Sequence, residues 1–194
     1  MREIVVVFVV TRAALAVVAL AAVSWLPVAR CAFCVDLSTV PLLAGLARWD
    51  SAGYLELAQN GYAVAGRENL AAYFPLYPAL MRIGGTLLGG STDAYLVAGI
   101  VVANAALLVS AVALARLAAV RHEPAVATRA AIHLLVFPTT IFLSAVYADS
   151  LFLAFAVLSG LAAERRRWWR SGVFAACAAL TRPFGGLALL PLAV

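Results

Sequence analysis

The sequence predicts an all-α fold, a polytopic transmembrane helical bundle of about five spans, with a sixth span left open. Only 12% of the residues are charged and the mean hydropathy is +1.02, whereas about a quarter of a soluble domain is charged. The chain has 14 arginines and no lysine, and most of them flank long apolar stretches. Because they do not gather on one polar face, the net charge of +5 does not indicate nucleic-acid binding.

Crossing a hydrocarbon core of ~30 Å takes roughly 20 apolar residues. Five stretches meet or approach that length: residues 4–29, 95–115, 130–147, 150–163 and 172–194. The first is too long for the apolar core of a signal peptide and is predicted to be a retained helix. The fourth is short and requires local thinning of the bilayer.

A sixth stretch, residues 74–90, is a weaker candidate for a span. It contains two prolines and four glycines. It also places Arg82 at its centre, where a lipid-facing arginine costs about 2.5–3.5 kcal/mol on insertion scales. We therefore predict a helix that lies in the membrane interface or packs inside the protein.

The distribution of arginines orients the predicted bundle. With five spans and a cytoplasmic N-terminus, eight arginines fall in the cytoplasm and four outside, in agreement with the positive-inside rule. A six-span bundle satisfies the rule only with the N-terminus outside, which would place Asp50 in the cytoplasm. We predict five spans, one integral-membrane module over residues 1–194, and a long external loop over residues 30–92. Because the sequence ends inside an apolar run, we expect the module to be truncated.

Polar and aromatic residues form four motifs along the chain. The first is Arg48-Trp49-Asp50 with Tyr54 and Gly61-Tyr62, and the second is Tyr73-Phe74-Pro75-Leu76-Tyr77-Pro78. The third comprises Phe137-Pro138, Ser144, Tyr147, Asp149 and Ser150, and the fourth comprises Thr181-Arg182-Pro183 and Gly185. In this order they resemble the PIG-V-like mannosyltransferases of the GT-C superfamily of integral-membrane glycosyltransferases. Family members are about twice as long, so this chain would correspond to the N-terminal half.

The resemblance implies an acidic catalytic residue in the first external loop, which here is Asp50. It also implies a polyprenyl-phosphate sugar donor, usually of mannose, and a glycan or glycolipid acceptor. A single carboxylate suffices for transfer with inversion, because only the acceptor hydroxyl must lose a proton. The alternative is that Asp50 caps a helix that begins at Ser51 and stops near Asn60-Gly61.

These motifs contain most of the candidate substrate-binding residues, and Arg82 of the sixth stretch is added to them: Arg48, Trp49, Tyr54, Tyr77, Arg82, Tyr147, Asp149 and Arg182. Asp149 could orient the acceptor, cap a helix or, as the weakest option, hold a divalent metal with Asp50. Arg182, predicted to lie well inside the last span, could bind the lipid phosphate or pair with an intramembrane acid. Arg82 is a second phosphate candidate or a solvated surface residue. No metal or other cofactor is assigned.

The sequence leaves two other functions open. A transporter or flippase of lipid-linked sugars would also need arginines in spans, but it predicts a repeated pair of broken helices near the midplane. A structural membrane subunit is the third possibility. Arg12, inside the first span, could snorkel, pair internally or contact substrate. Concentration of the polar residues in one external loop favours an enzyme.

Overall fold

In the computed structural model, which describes residues 1–26, 36–63 and 68–182, the regular elements are all helical. The helices are α1 (Arg2–Trp25), α2 (Pro41–Leu46), α3 (Ser51–Asn60), α4 (Leu76–Leu87), α5 (Thr92–Ala118), α6 (Pro124–Val136), α7 (Asp149–Glu164) and α8 (Trp168–Ala179). Short 3-10 turns lie at Glu68–Ala72 and Pro138–Ile141. The predicted all-α class is confirmed for this part of the chain.

Two of the described helices are long and apolar enough to cross a membrane. Helix α1 has 24 residues and α5 has 27, which correspond to about 36 and 40 Å at a rise of 1.5 Å per residue. Helix α5 is the central element and packs against α4, α6 and α7. Its buried face carries small residues such as Ala98, Gly99 and Ala103, which let neighbouring helices approach closely.

The predicted span over residues 130–147 is wrong as a single helix. Helix α6 ends at Val136, because Pro138 has no N–H to continue the helix and forces Phe137 into an extended conformation. A 3-10 turn and a series of bends then lead to Ala148. The next prediction, 150–163, agrees closely with α7.

The last predicted span, residues 172–194, also needs correction. Helix α8 begins earlier, at Trp168, and ends at Ala179 with Leu180 as its C-cap. Arg182 therefore follows the end of a helix instead of lying about 15 Å along one, as the uninterrupted span implied. Residues 183–194 lie outside the described residues.

The segment predicted to form the long loop folds onto α5. Helix α3 starts at Ser51 and stops at Asn60, where Gly61 adopts a φ of 73°, as the Asn60-Gly61 signal predicts. Helix α4 has 12 residues, which correspond to about 18 Å at a rise of 1.5 Å per residue. It buries Tyr77 and Met81 against the protein, in agreement with a packed surface helix. Residues 30–35 and 64–67 of this loop are outside the described ranges.

Helix α7 defines two opposite ends of the structure. At its C-terminus Glu164 pairs with Arg121, which follows α5, at an N–O distance of 2.9 Å. At its N-terminus Asp149 lies beside Arg182 and near the first residues of α3. Between the ends, Ser159 of α7 and Ser171 of α8 are buried and exchange hydrogen bonds of 2.8 and 2.9 Å. Asp149, Arg182 and the turn that carries Asp50 therefore lie at the N-terminal end of α7.

Candidate active site

Asp50 occupies the residue before α3, but its carboxylate does not cap the helix. Its backbone is already helical, with φ −61° and ψ −18°, and its side chain accepts no bond from the first turn. The preceding residue, Trp49, has a φ of 49°, a left-handed conformation that bulky side chains rarely adopt. The capping interpretation is therefore wrong, and the exposed Asp50 carboxylate is free for other partners.

Tyr73 is the side chain that faces the Asp50 carboxylate. Its hydroxyl donates to Asp50 Oδ1 over 3.4 Å. Burial raises the pKa of the Tyr73 phenol, and the negative charge of Asp50 and the hydrogen bond to it raise it further. Tyr73 therefore stays protonated at neutral pH and remains a donor to the carboxylate.

Gly53 makes the approach of Tyr73 geometrically feasible. A Cβ atom at Gly53 would lie 2.4 Å from Cζ of the Tyr73 ring, which is closer than such atoms can approach. The sequence-based site omitted Tyr73, although the residue stands in the second motif. Only the fold shows that it reaches back over α3 to Asp50.

Tyr54 and Tyr77 lie beneath this surface. Tyr54 is 5% exposed, and its ring meets those of Tyr73 and Tyr77 edge-on at centroid distances of 4.9 and 5.0 Å. Tyr77 is fully buried and donates its hydroxyl to the backbone carbonyl of Gly99 over 3.1 Å. In this structure Tyr77 thus supports the site from the core and has no surface to offer a substrate.

The pKa of Tyr54 reflects how closely the charged groups gather. Burial raises it above its ordinary value, and the positive charge of Arg182 opposes that rise. The carboxylates of Asp149 and Asp50 raise it further. Charged groups of the first, third and fourth motifs thus shift the pKa of the same phenol.

Arg182 and Asp149 form an ion pair at the edge of a cavity. Arg182 Nη2 lies 2.6 Å from Asp149 Oδ2, and the side chains are 38% and 24% exposed. Asp149 is the first residue of α7, after Ala148 as the N-cap, and does not cap the helix with its side chain. The cavity measures about 250 Å³. Its lining consists of Thr139, Phe142, Leu143, Tyr147, Asp149 and Arg182.

Tyr147 joins this cavity to the Asp50 turn. Its hydroxyl donates to the carbonyl of Arg48 over 3.0 Å. The ring of Phe142 lies 5.7 Å from that of Tyr147 and 6.2 Å from that of Trp49.

A second hydrogen bond joins the two segments, since Ser51 donates to the carbonyl of Val146 over 3.1 Å. The interrupted segment 137–148 is therefore docked directly onto the turn that carries Asp50.

Two of the predicted substrate-binding residues, Arg48 and Arg82, direct their guanidinium groups away from the cavity. Arg48 pairs with Asp36 at 2.7 Å, so only its carbonyl contributes to the site. Arg82 donates to the carbonyls of Ala58 and Gln59 over 3.5 and 3.4 Å, at the C-terminal end of α3. That end is about 15 Å from Asp50 along the helix. Arg82 is thus well placed to stabilise α3 and is not brought together with the other candidates.

A metal site was the weakest expectation for the two aspartates. Within residues 1–26, 36–63 and 68–182, no three His, Cys, Asp or Glu side chains gather as metal ligands do. Asp149 already has Arg182 as its partner. Asp50 and Asp149 together would supply two carboxylates to an ion. That these two residues hold a divalent metal stays a prediction.

Fold and site together define a class: an apolar helical protein with two candidate membrane spans and a carboxylate–tyrosine site beside an arginine ion pair. A family profile described as Mannosyltransferase (PIG-V) matches residues 2–191. The chain therefore belongs to the PIG-V mannosyltransferase family, and the resemblance seen in its motifs is confirmed.

Curated relatives agree with this family. GPI alpha-1,6-mannosyltransferase 2 of mouse is 35% identical over 157 residues, which cover 76% of this chain and 31% of the relative. The rat protein of the same name is 36% identical over 160 residues, 78% of this chain and 32% of its own. The human protein is 32% identical over 160 residues, 78% of this chain and 31% of its own.

The chain spans about a third of the length of the curated relatives it matches, instead of the half expected from the sequence. No solved structure matches it.

Proposed function

We propose that this chain carries the catalytic site of an inverting mannosyltransferase. The donor would be a polyprenyl-phosphate mannose, and the acceptor would be a hydroxyl of a glycolipid of the GPI type. The observation that carries the proposal is the Asp50 carboxylate. It is exposed and is not used by its helix, and the Tyr147–Arg48 hydrogen bond joins its turn to the cavity that Asp149 and Arg182 line. Membership of the mannosyltransferase family supplies the sugar.

In this proposal Asp50 acts as the general base. The acceptor hydroxyl gives its proton to the carboxylate while its oxygen attacks the anomeric carbon of the mannose. The new glycosidic bond forms as the bond from that carbon to the phosphate oxygen breaks, and the phosphate leaves with the electron pair. Tyr73, donating to Asp50 Oδ1, fixes the orientation of the carboxylate and leaves its other oxygen for the acceptor.

Arg182 is suited to receive the leaving phosphate. The ion pair with Asp149 engages one of its terminal nitrogens, and the side chain is 38% exposed toward the cavity. A phosphate can accept two parallel hydrogen bonds from a guanidinium, which a monodentate carboxylate contact does not match. Asp149 would hold the guanidinium in place before the donor arrives and share it afterwards.

The proposed membrane arrangement has five spans with the site on the extracytoplasmic face. The long helices α1 and α5 would supply two of them, and the apolar sequence stretches 130–147, 150–163 and 172–194 would supply the other three. The Arg121–Glu164 pair and the run Arg165-Arg166-Arg167 lie at the C-terminal end of α7, opposite Asp149. The positive-inside rule assigns that end to the cytoplasm.

Transport of a lipid-linked sugar is a second candidate, because the interruption at residues 137–148 is the type of broken helix that transporters use. Membranes that contain the product of the complete reading frame should be incubated with radiolabelled polyprenyl-phosphate mannose and a GPI-type glycolipid. Label in the acceptor, released by an α-mannosidase, is the result expected of an inverting transferase with a β-linked donor. Movement of label across the membrane without a new glycosidic bond would support transport instead.

A further inference from the structure

Arg12 is a charged residue in the middle of α1, about 15 Å from the start of the helix at 1.5 Å per residue. A charge at that depth of an apolar helix is costly unless it is paired. Within the part of the chain that the structure describes, no carboxylate lies within ion-pair distance of Arg12. Its guanidinium instead donates to neutral oxygens of a different region.

These oxygens belong to the interruption between α6 and α7. Arg12 Nη2 donates to the carbonyl of Leu135 over 2.9 Å, and Nη1 donates to the carbonyl of Thr140 over 3.4 Å and to the hydroxyl of Ser144. Leu135 is in the last turn of α6, where Pro138 leaves carbonyls without a helical donor. Arg12 Nη2 and, over 3.4 Å, the Thr140 hydroxyl donate to the Leu135 carbonyl in place of a helical N–H. The positive charge of Arg12 also suits the negative end of the helix dipole.

Ser144 is held from a second side by α5. Asn104 donates to the Ser144 carbonyl over 3.1 Å and to the carbonyl of Ile100 over 2.8 Å. The segment fixed in this way continues directly to Tyr147 and Asp149. It is the segment that lines the cavity and docks against the Asp50 turn.

We propose that Arg12 is a positioning residue for sugar transfer, which fixes residues 137–148 so that Tyr147 and Asp149 meet Asp50 and Arg182. The effect of Arg12 on sugar transfer rests on the proposed function. Its effect on the position of residues 137–148 can be tested in a protein without any transferase activity. A direct substrate contact or simple snorkelling by Arg12 predicts different results.

The structural test uses a protein whose native cysteines are replaced and whose exposed Thr139 carries a cysteine (T139C). Thr139 lies in the interruption and lines the cavity, so its reaction rate with a maleimide reports the position of the segment. Arg12→Met should change that rate several-fold, and Arg12→Lys should change it less. Thr11→Val is the matched control, because among the described residues Thr11 bonds only to carbonyls of its own helix, at Val7 and Phe8.

The catalytic test compares turnover and donor dependence in the same membranes. Arg12→Met should lower kcat by roughly tenfold to a hundredfold, as expected of a small misplacement of reacting groups, with little change in the KM for the donor. Ser144→Ala should also lower kcat and should add little to Arg12→Met, because Arg12→Met already removes the bond that the Ser144 hydroxyl accepts. A raised donor KM with normal kcat would overturn positioning in favour of substrate binding.

Two further outcomes separate the inference from the proposed function. Unchanged labelling at position 139 in both Arg12→Met and Arg12→Lys would overturn the positioning role. A labelling change in protein whose unsubstituted form transfers no mannose would support positioning and overturn the proposed function. If Arg12→Met does not insert, Arg12→Lys and Ser144→Ala provide the same comparison.

Discussion

The two ends of α7 carry the same chemistry in different surroundings. Each end has an arginine paired with a carboxylate: Arg182 with Asp149 at 2.6 Å and Arg121 with Glu164 at 2.9 Å. At the first end the arginine is 38% exposed beside a cavity, and at the second it is 74% exposed. Distance alone therefore does not distinguish a binding site from a surface contact, whereas burial and neighbouring groups do.

The two ion pairs differ in the groups that surround them. Around Asp149 stand a second carboxylate on Asp50, the phenols of Tyr54 and Tyr147, and the interrupted segment 137–148. Glu164 is followed by Arg165-Arg166-Arg167, which is typical of a cytoplasmic anchor. We expect substitutions at the first end to change catalysis and those at the second end to change stability slightly.

The largest effect is expected at Asp50. Asp50→Asn keeps the shape of the side chain and its bond from Tyr73 but cannot take up a proton. Transfer should fall by roughly 10²–10⁴-fold, the usual contribution of a general base. The measurement is the initial rate of mannose transfer at saturating donor, normalised to the amount of inserted protein.

Asp93→Asn is the matched control for that loss. Asp93 is an acid in the first turn of α5 and takes no part in the site. The rate of this variant should stay within a factor of about two, since a charge near a helix end contributes only a fraction of a kcal/mol. Near-normal transfer by Asp50→Asn would remove Asp50 as the base.

A smaller effect is expected from Gly53→Ala. The new methyl group would collide with the Tyr73 ring, whose Cζ atom lies 2.4 Å from the required Cβ position. Tyr73 must then move away from Asp50, and transfer should fall by roughly tenfold through misorientation of the base.

Gly172→Ala provides the matched glycine control. A Cβ at Gly172 meets no atom within 4 Å, and the residue lies inside α8. This substitution should leave transfer unchanged and stabilise the protein by about 0.5–1 kcal/mol. Equal activity of the two glycine variants would contradict the role given to Tyr73.

The smallest effect is expected at the opposite end of α7. Arg121→Met removes the exposed ion pair with Glu164, and exposed pairs contribute about 0–1 kcal/mol. Thermal stability in detergent should therefore change slightly and transfer should not change. A strong loss of transfer in Arg121→Met would show that the two ends of α7 are not functionally distinct.

Local signals in the sequence predicted the elements that depend on them. Asn60-Gly61 marked the end of α3, and the prolines and Arg82 of residues 74–90 predicted an interfacial or packed helix, where the structure has α4. The break at Pro138 was equally visible, but the apolar composition on both sides favoured one continuous span. At that position Pro138, which has no backbone N–H, ends the helix although the residues on both sides are apolar.

Contacts between distant residues could not be predicted in this way. Asp149 and Arg182 are 33 residues apart and meet only because α7 packs against α8. Arg12 reaches Ser144 across 132 residues, and nothing near either residue indicates the contact. Tyr73 meets Asp50 because Gly53 leaves room for its ring. Such partners are fixed by the packing of helices and not by the local sequence.

The central claim is that Arg182, held in place by Asp149, binds the phosphate of the donor. The most direct test is the dependence of transfer on the concentration of polyprenyl-phosphate mannose in Arg182→Lys and Arg182→Met, with thermal stability measured in parallel. Arg182→Lys should keep weak activity with a raised donor KM, because lysine keeps the charge and loses the planar fork. Arg182→Met should lose transfer almost entirely while still inserting. An Arg182→Met protein that melts earlier but keeps an unchanged donor KM would contradict the claim and leave the ion pair a structural role only.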